Sequence, residues 1–296
     1  MRDGLPETNT KPSSNQEAQR VPPFLKWAGG KRWLAPRLAP SLKHLNGAYI
    51  EPFAGSAAIF FHLNPSRAIL SDTNQRLIET YKAVRKDPES VQKALTKYQK
   101  IHSDEFYYRE RSRARRSRHM RAAQFIYLNR TCWNGLYREN LNGEFNVPRG
   151  TKNKVVLPDD NWIQIASYLK NSAIICADFE RTIKFAGKGD FILADPPYAG
   201  PPGTNTFTKY GSRVFSWNDQ ARLASALKSA DSRGATFLVT NTPHTEIRDI
   251  FDEFAYTFNV KRHSIISGKP KGRSQTEEIF ITNDEKIAKA LRNESR

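Results

Sequence analysis

A chain of 296 residues with 38% hydrophobic side chains, Phe being the most frequent aromatic at 17, can bury the core of one large α/β domain or of a domain carrying an insertion. No apolar run approaches the ~20 residues of a membrane span, which argues against a membrane protein. The two cysteines, Cys132 and Cys176, lie outside any CxxC or Cys/His cluster, so a reduced, cytoplasmic setting without a structural metal is expected. The formal net charge of +17 favours a polyanionic partner, nucleic acid above all.

In chain order, residues 1–21 are polar and rich in turn formers, with no apolar h-region, and read as a disordered leader. Strands are expected within 47–55 (GAYIEPFAG) and 67–74 (RAILSDTN). The stretch 85–150 is basic and mostly helical in pattern, and it is too long for a simple connection, so it reads as an inserted subdomain. Six arginines between Arg111 and Arg121, among them Arg115 and Arg116, suit a surface that tracks phosphates. More strands are expected within 172–179 (SAIICADF), 190–198 (DFILADPPY) and 234–242 (GATFLVTNT), and 254–265 with 276–283 should form a late antiparallel hairpin. Residues 285–296 read as a polar tail, leaving 22–84 and 151–284 as the main domain. Near-continuous apolar strands alternating with helices indicate a mostly parallel sheet covered on both faces.

Ligands of such sheets bind beyond the carboxyl ends of the strands. The expected strands end at Glu51, Asp72, Asp178, Asp195 and Asn241. One carboxylate there would serve as a helix cap, whereas four on one edge describe a site. After the first strand, Ala54 and Gly55 allow close backbone approach, yet the segment is not the G-x-G-x-x-G pyrophosphate fingerprint. Asp72 follows Gly55 by 17 residues, where doubly wound folds place the carboxylate that takes ribose hydroxyls. A nucleoside without phosphates suits both features, and S-adenosylmethionine is such a nucleoside.

At 195–198 the chain reads DPPY. The prolines hold Asp195 and Pro196 extended and offer no N–H, which favours a free Pro196 carbonyl beside the Asp195 carboxylate. Two adjacent acceptors fit an –NH2 group, and the Tyr198 ring can stack on a planar heterocycle. Drawing on its two hydrogens would favour a tetrahedral nitrogen whose lone pair points at a sulfonium methyl, with positioning and electrostatics supplying most of the catalysis. The same acceptors would suit N4 of cytosine, and the basic surface alone would suit a DNA-binding module without chemistry.

These segments closely resemble the Dam-type family of DNA adenine-N6 methyltransferases, the D12 class, over residues 23 to 283. The similar segments are PFLKWAGGKRWL, YIEPFAGSAAIFF, LSDTN, NRTCWNGLYRENLNGEFNVPRG (129–150) and DPPY, in the family's order. The resemblance implies a class I, Rossmann-like methyltransferase sheet with an inserted helical DNA-recognition subdomain, acting on double-stranded DNA at a GATC-like site; the oligomeric state stays open, with a monomer as the default expectation. It implies that Trp27, Lys31 and the glycine loop Phe53, Ala54 and Gly55 bind S-adenosylmethionine, with Asp72 on the ribose and Asp178 with Phe179 at the adenine. Asp195, Pro196, Pro197 and Tyr198 would form the catalytic motif, with Asp195 between cofactor and target base. Arg138 would read a guanine, Lys26 the outer guanine and Pro148 the thymine side, while Trp133 and Asn134 would approach the flipped adenine and its phosphates. Arg149 departs from the family, which usually has an aromatic residue there.

Overall fold

The computed structural model describes residues 21–43, 45–140, 142–198, 215–263 and 275–293. The expected leader therefore lies outside the described residues except for Val21, which is buried. A short helix α1 (Ala35–Leu38) precedes β1 (Tyr49–Glu51), α2 (Ala58–Leu63) and β2 (Ala68–Asp72). A helical run follows, comprising α3 (Gln75–Lys86), α4 (Pro88–Ile101), α5 (Asp104–Ser112), α6 (Arg118–Thr131) and α7 (Trp162–Lys170). The chain then returns through β3 (Ser172–Cys176), α8 (Phe179–Ile183), β4 (Phe191–Ala194), α9 (Trp217–Ser232), β5 (Thr236–Asn241) and α10 (Thr245–Phe251). It closes with β6 (Tyr256–His263), β7 (Gln275–Thr282) and α11 (Glu285–Asn293).

The strands form one sheet in the order β3-β2-β1-β4-β5-β7-β6. β1 to β5 are mutually parallel, while β7 runs antiparallel between β5 and β6. The late hairpin is thus present, inserted so that its second strand meets β5. Alternation along the strands divides the core. Tyr49, Leu70, Phe191 and Leu193 join the cluster under α2 to α7, whereas Ile50, Ile192, Phe237 and Val239 face α8 to α10. Burial on both faces is the physical reason these strands read as continuous apolar runs rather than as alternating ones.

Helix starts follow local chemistry. Asn74, Asp87 and Ser103 accept from the N–H groups of Leu77, Ser90 and Phe106, and Ser216 with Asp219 forms a complete capping box. The basic helical stretch shares its core with the sheet: Phe125, Ile126 and Leu128 of α6 pack in the same cluster as Leu70. Buried Arg130 ties α6 to the N-terminal segment and to the 155–160 loop. Its guanidinium is bidentate to Asp160 at 2.6 and 2.7 Å and also donates to the carbonyls of Phe24 and Val155. Residues 285–296, expected as a polar tail, instead contain α11, which buries Ile287, Ala288 and Leu291. That i, i+1, i+4 spacing is a narrow helical stripe inside a charged segment. Among the described residues, no helix is long and apolar enough to cross a membrane.

Candidate active site

The strand order reverses at β1: the chain steps outward to β2 and β3, then crosses to β4 and β5. Open α/β sheets bind ligands in the crevice beyond the strand ends at that reversal. A cavity of about 950 Å³ lies there, lined by the segments that follow β1, β2, β3 and β4 and by the loop at 27–31. Its volume is at the upper end of the roughly 300–1,000 Å³ typical of single-ligand sites.

One part of the cavity is shaped by the loop after β1. Gly55 adopts φ +45°, and a Cβ there would stand 2.7 Å from Cδ1 of Trp27, so the indole needs glycine beneath it. Trp27 stacks on Tyr137 with ring centroids 5.6 Å apart and so also ties this loop to the segment after α6. Asp72 at the end of β2 accepts from the N–H of Gly55 at 3.1 Å and of Asn74 at 2.9 Å. Burial pushes its carboxyl up, and these backbone donors oppose the shift. Asp178 caps α8 through the N–H of Glu180 and is clamped by Arg222 at 3.0 Å. Arg222 lies 4.8 Å over the ring of Phe179, which packs with Phe53 and Phe215 into an aromatic wall. Glu51 lines the cavity yet is buried, and its Oε2 has no hydrogen-bond partner among the described residues. Burial pushes this carboxyl well above the usual carboxylate range, and the charge of Asp195 adds to the effect.

The centre of the site is the carboxylate of Asp195, just past β4. Lys31 Nζ donates to its Oδ1 at 2.8 Å and its Oδ2 at 3.0 Å, to the hydroxyl of Tyr198 at 2.8 Å and to the carbonyl of Gly29 at 3.0 Å. A second acid, Glu278 of β7, stands 3.8 Å from the same ammonium. Lys31 is only 3% exposed, so its charge is supported by these carboxylates rather than by water. Thr240 Oγ1 adds a 2.5 Å hydrogen bond to Asp195 Oδ1. Pro196, Pro197 and Tyr198 continue along the cavity wall.

Beside this cavity, the segment 129–150 folds back on itself. Isolated bridges pair Glu139 with Phe145 and Cys132 with Arg149, and Trp133 N–H donates to the Pro148 carbonyl at 2.9 Å. Asn129 holds the backbone of Lys26 from both sides, its Oδ1 accepting from Lys26 N–H and its Nδ2 donating to Lys26 O, both at 2.8 Å. The stem of Lys26 lies over Gly135 (φ +67°), where a Cβ would meet Lys26 Cδ at 2.8 Å. Burial, and next the neighbouring ammonium of Lys152, lower the pKa of Lys26 to about 8. Trp133, Asn134 and Pro148 are exposed. Arg138 donates through Nε to Asn146 Oδ1 at 2.7 Å.

The structure therefore gathers Trp27, Lys31, Phe53, Ala54, Gly55, Asp72, Asp178, Phe179 and the DPPY residues around one cavity. Lys26, Trp133, Asn134 and Pro148 meet on the adjoining segment, with Arg138 held by Asn146 across it. The two arginines picked from the basic run part company. Arg116 is exposed, whereas Arg115 turns inward, bidentate to buried Glu110 through Nε and Nη2. Phe215, Arg222, Thr240 and Glu278 were not singled out as site residues in the sequence and come into place only through sheet register and helix packing, whereas Glu51 was marked as one of the strand-end carboxylates without a role of its own.

Residues 27–265 match the family model described as D12 class N6 adenine-specific DNA methyltransferase. The chain is 35% identical over 270 residues to the type II methyltransferase M1.LlaDCHI of Lactococcus lactis subsp. cremoris, covering 88% of this chain and 95% of that one. It is 36% identical to the type II methyltransferase M.MjaIII of Methanocaldococcus jannaschii, over 82% of this chain and 90% of that protein. To the DNA adenine methylase of Serratia marcescens it is 34% identical, over 87% and 96% respectively. With the acidic strand ends, the DPPY corner and the adjoining basic segment already in place, these matches make the chain a member of the D12 class of N6 adenine-specific DNA methyltransferases.

Proposed function

We propose that this enzyme transfers a methyl group from S-adenosylmethionine to N6 of an adenine flipped out of double-stranded DNA, within a GATC-like site. The observation that carries this reading is the Asp195 carboxylate, fixed by Lys31 and Thr240 on the wall of a cavity large enough for a nucleoside and a second planar group.

The residues present fit the cofactor. Asp72 stands at the end of β2 as an acceptor for ribose hydroxyls, and the Phe53, Phe179 and Phe215 wall offers an apolar face to an adenine ring. The buried Glu51 carboxyl, with an oxygen lacking a partner among the described residues, suits a cationic amine. Trp27 and Lys31 close the same space from the N-terminal loop. When bound, the cofactor supplies an electrophilic methyl group.

The chain's own residues then act on the base. N6 of a stacked adenine cannot be approached in line, so the base leaves the duplex and rests against Tyr198. Asp195 and the Pro196 carbonyl accept the two amine hydrogens, which turns the nitrogen lone pair toward the methyl group. Lys31 orients the carboxylate through both of its oxygens. Arg138 reads a guanine, with Nε committed to Asn146 and the Nη edge left for a bidentate contact. Lys26 reaches the outer guanine, Pro148 the thymine side, Trp133 and Asn134 the surroundings of the flipped base, and Arg116 with its exposed neighbours the phosphates. The relatives named DNA adenine methylase support the target base.

The test is methyl transfer from labelled S-adenosylmethionine to duplex oligonucleotides, followed by digestion to nucleosides. The label is expected in N6-methyl-2′-deoxyadenosine and only with duplexes that carry the site. Label in N4-methylcytosine, or none at all, would refute the reading.

A further inference from the structure

We infer that Thr240 is a positioning residue for the transfer step: with Lys31 it occupies Oδ1 of Asp195 and so assigns Oδ2 as the oxygen that accepts from the target amine. The inference deepens the proposed function and rests on its reading of Asp195.

The sheet register creates the contact. Ala194 of β4 is paired with Val239 of β5, so the next residues on the two parallel strands, Asp195 and Thr240, stand side by side. Thr240 is fully buried, and its hydroxyl donates to Asp195 Oδ1 at 2.5 Å. A β-branched side chain on a strand has a stiff χ1, which fixes the direction of that donor. Each carboxylate oxygen offers about two lone-pair sites. At Oδ1 both are taken, by Thr240 at 2.5 Å and Lys31 at 2.8 Å. Among the described residues, Oδ2 receives only Lys31, at 3.0 Å, and keeps a site for a further donor.

The two oxygens would be interchangeable without this anchor. The terminal torsion of Asp is broad and roughly two-fold, and Lys31 alone contacts both oxygens and so cannot distinguish them. A donor on one oxygen breaks the symmetry and stops the carboxylate turning as the base enters. Because a misplacement of about 1 Å can cost about a hundredfold in rate, such an anchor acts on the chemical step and leaves ligand binding alone.

The experiment compares Thr240→Val and Thr240→Ala, which lack the hydroxyl, with Thr240→Ser, which keeps it. Single-turnover methyl transfer is measured at saturating duplex and cofactor, with active sites counted by cofactor titration. The hydroxyl-free variants are expected to be about tenfold to a hundredfold slower, with KM for DNA and cofactor within about twofold of wild type and the Ser variant within about threefold. Thr240→Val added to Asp195→Ala, which removes both acceptor oxygens, should slow that variant no further, because Thr240 acts only through the carboxylate. Wild-type rates in both hydroxyl-free variants, a Ser variant as slow as Val, or an additive double mutant would each overturn the assignment. Asp195→Asn keeps the two failures apart. If it turns over like wild type, the reading of Asp195 fails. If it is slow while Thr240→Val and Thr240→Ala are fast, only the role of Thr240 fails.

Discussion

The cavity at the strand ends draws its polar groups from positions as far apart as Lys31, Asp195, Thr240 and Glu278, and it buries most of them. The neighbouring surface, which we propose for recognition, comes almost entirely from one continuous segment, 129–150, with Lys26 held against it, and Trp133, Asn134 and Pro148 stay exposed. The first is a low-dielectric arrangement in which Asp195 is fixed by Lys31 and Thr240, so loss of that group should be severe and specific to the chemical step. The second keeps Trp133, Asn134 and Pro148 in water, where contacts gain less individually and act mainly on affinity or base choice.

The largest expected effect lies in the first region. Asp195→Asn replaces a charged acceptor by a neutral amide and should slow single-turnover transfer by about a thousandfold, or about 4 kcal/mol. Cofactor titration and DNA gel shifts should show binding retained. Next comes a change at the end of α6, where the 129–150 segment begins. Arg130→Met strips buried Asp160 of its partner and should cost about 3–5 kcal/mol in urea denaturation. Its effect on stability should appear without a change in base preference.

Within the recognition region the effects shrink and separate. Arg138→Ala should lose about 1–3 kcal/mol of discrimination at one guanine position, measured by competition with singly substituted duplexes. Equal loss of affinity for cognate and scrambled DNA would contradict base reading. Arg116→Ala should lower the slope of log affinity against log salt by about 1 with no change in sequence preference. Arg115→Ala should leave that slope nearly unchanged and instead lower stability, because it strips buried Glu110 of its cationic partner and leaves only the Tyr98 hydroxyl on the carboxylate.

The smallest effect is a pH dependence. Lys26 has a pKa lowered to about 8 by burial and by Lys152, with Arg130 acting in the same direction and Cys132 opposing them. A lysine in the unfolded chain titrates at about 10.4, so between these values the unfolded chain binds more protons. Stability should therefore rise slightly with pH from 8 to 10, as the folded protein sheds a poorly solvated charge. DNA affinity should move the other way, since a phosphate or guanine acceptor favours charged Lys26. Fluorescence anisotropy should show binding a few-fold weaker at pH 9 than at pH 7, and Lys152→Ala should shift that loss upward in pH.

Much of the cavity could be read from residue types at strand ends, whereas the 129–150 residues followed from the family resemblance. Apolar strands closing on Glu51, Asp72, Asp178 and Asp195 marked one edge of one sheet, and the sheet places them there. Side-chain direction was harder. The sequence drew attention to Asn241 at the end of β5, whereas its neighbour Thr240 is the one that meets Asp195, a consequence of strand register that one strand alone does not encode. Glu278 reaches Lys31 because β7 enters the sheet beside β5 instead of at its outer edge. Arg115 and Arg116 are adjacent and identical in type, and only the packing of α5 decides that one faces Glu110 and the other solvent. The α11 helix was hidden by its charged residues, which outnumber the three apolar ones that anchor it.

The most direct measurement of the central claim is a modification map. The protein and its Asp195→Asn variant are expressed in a host without adenine methylation, and methylated bases are located across its DNA. N6-methyladenine is expected at GATC-like sites with the wild type and at none with the variant. Undiminished methylation by Asp195→Asn, or modification of cytosine N4 in place of adenine N6, would contradict the account.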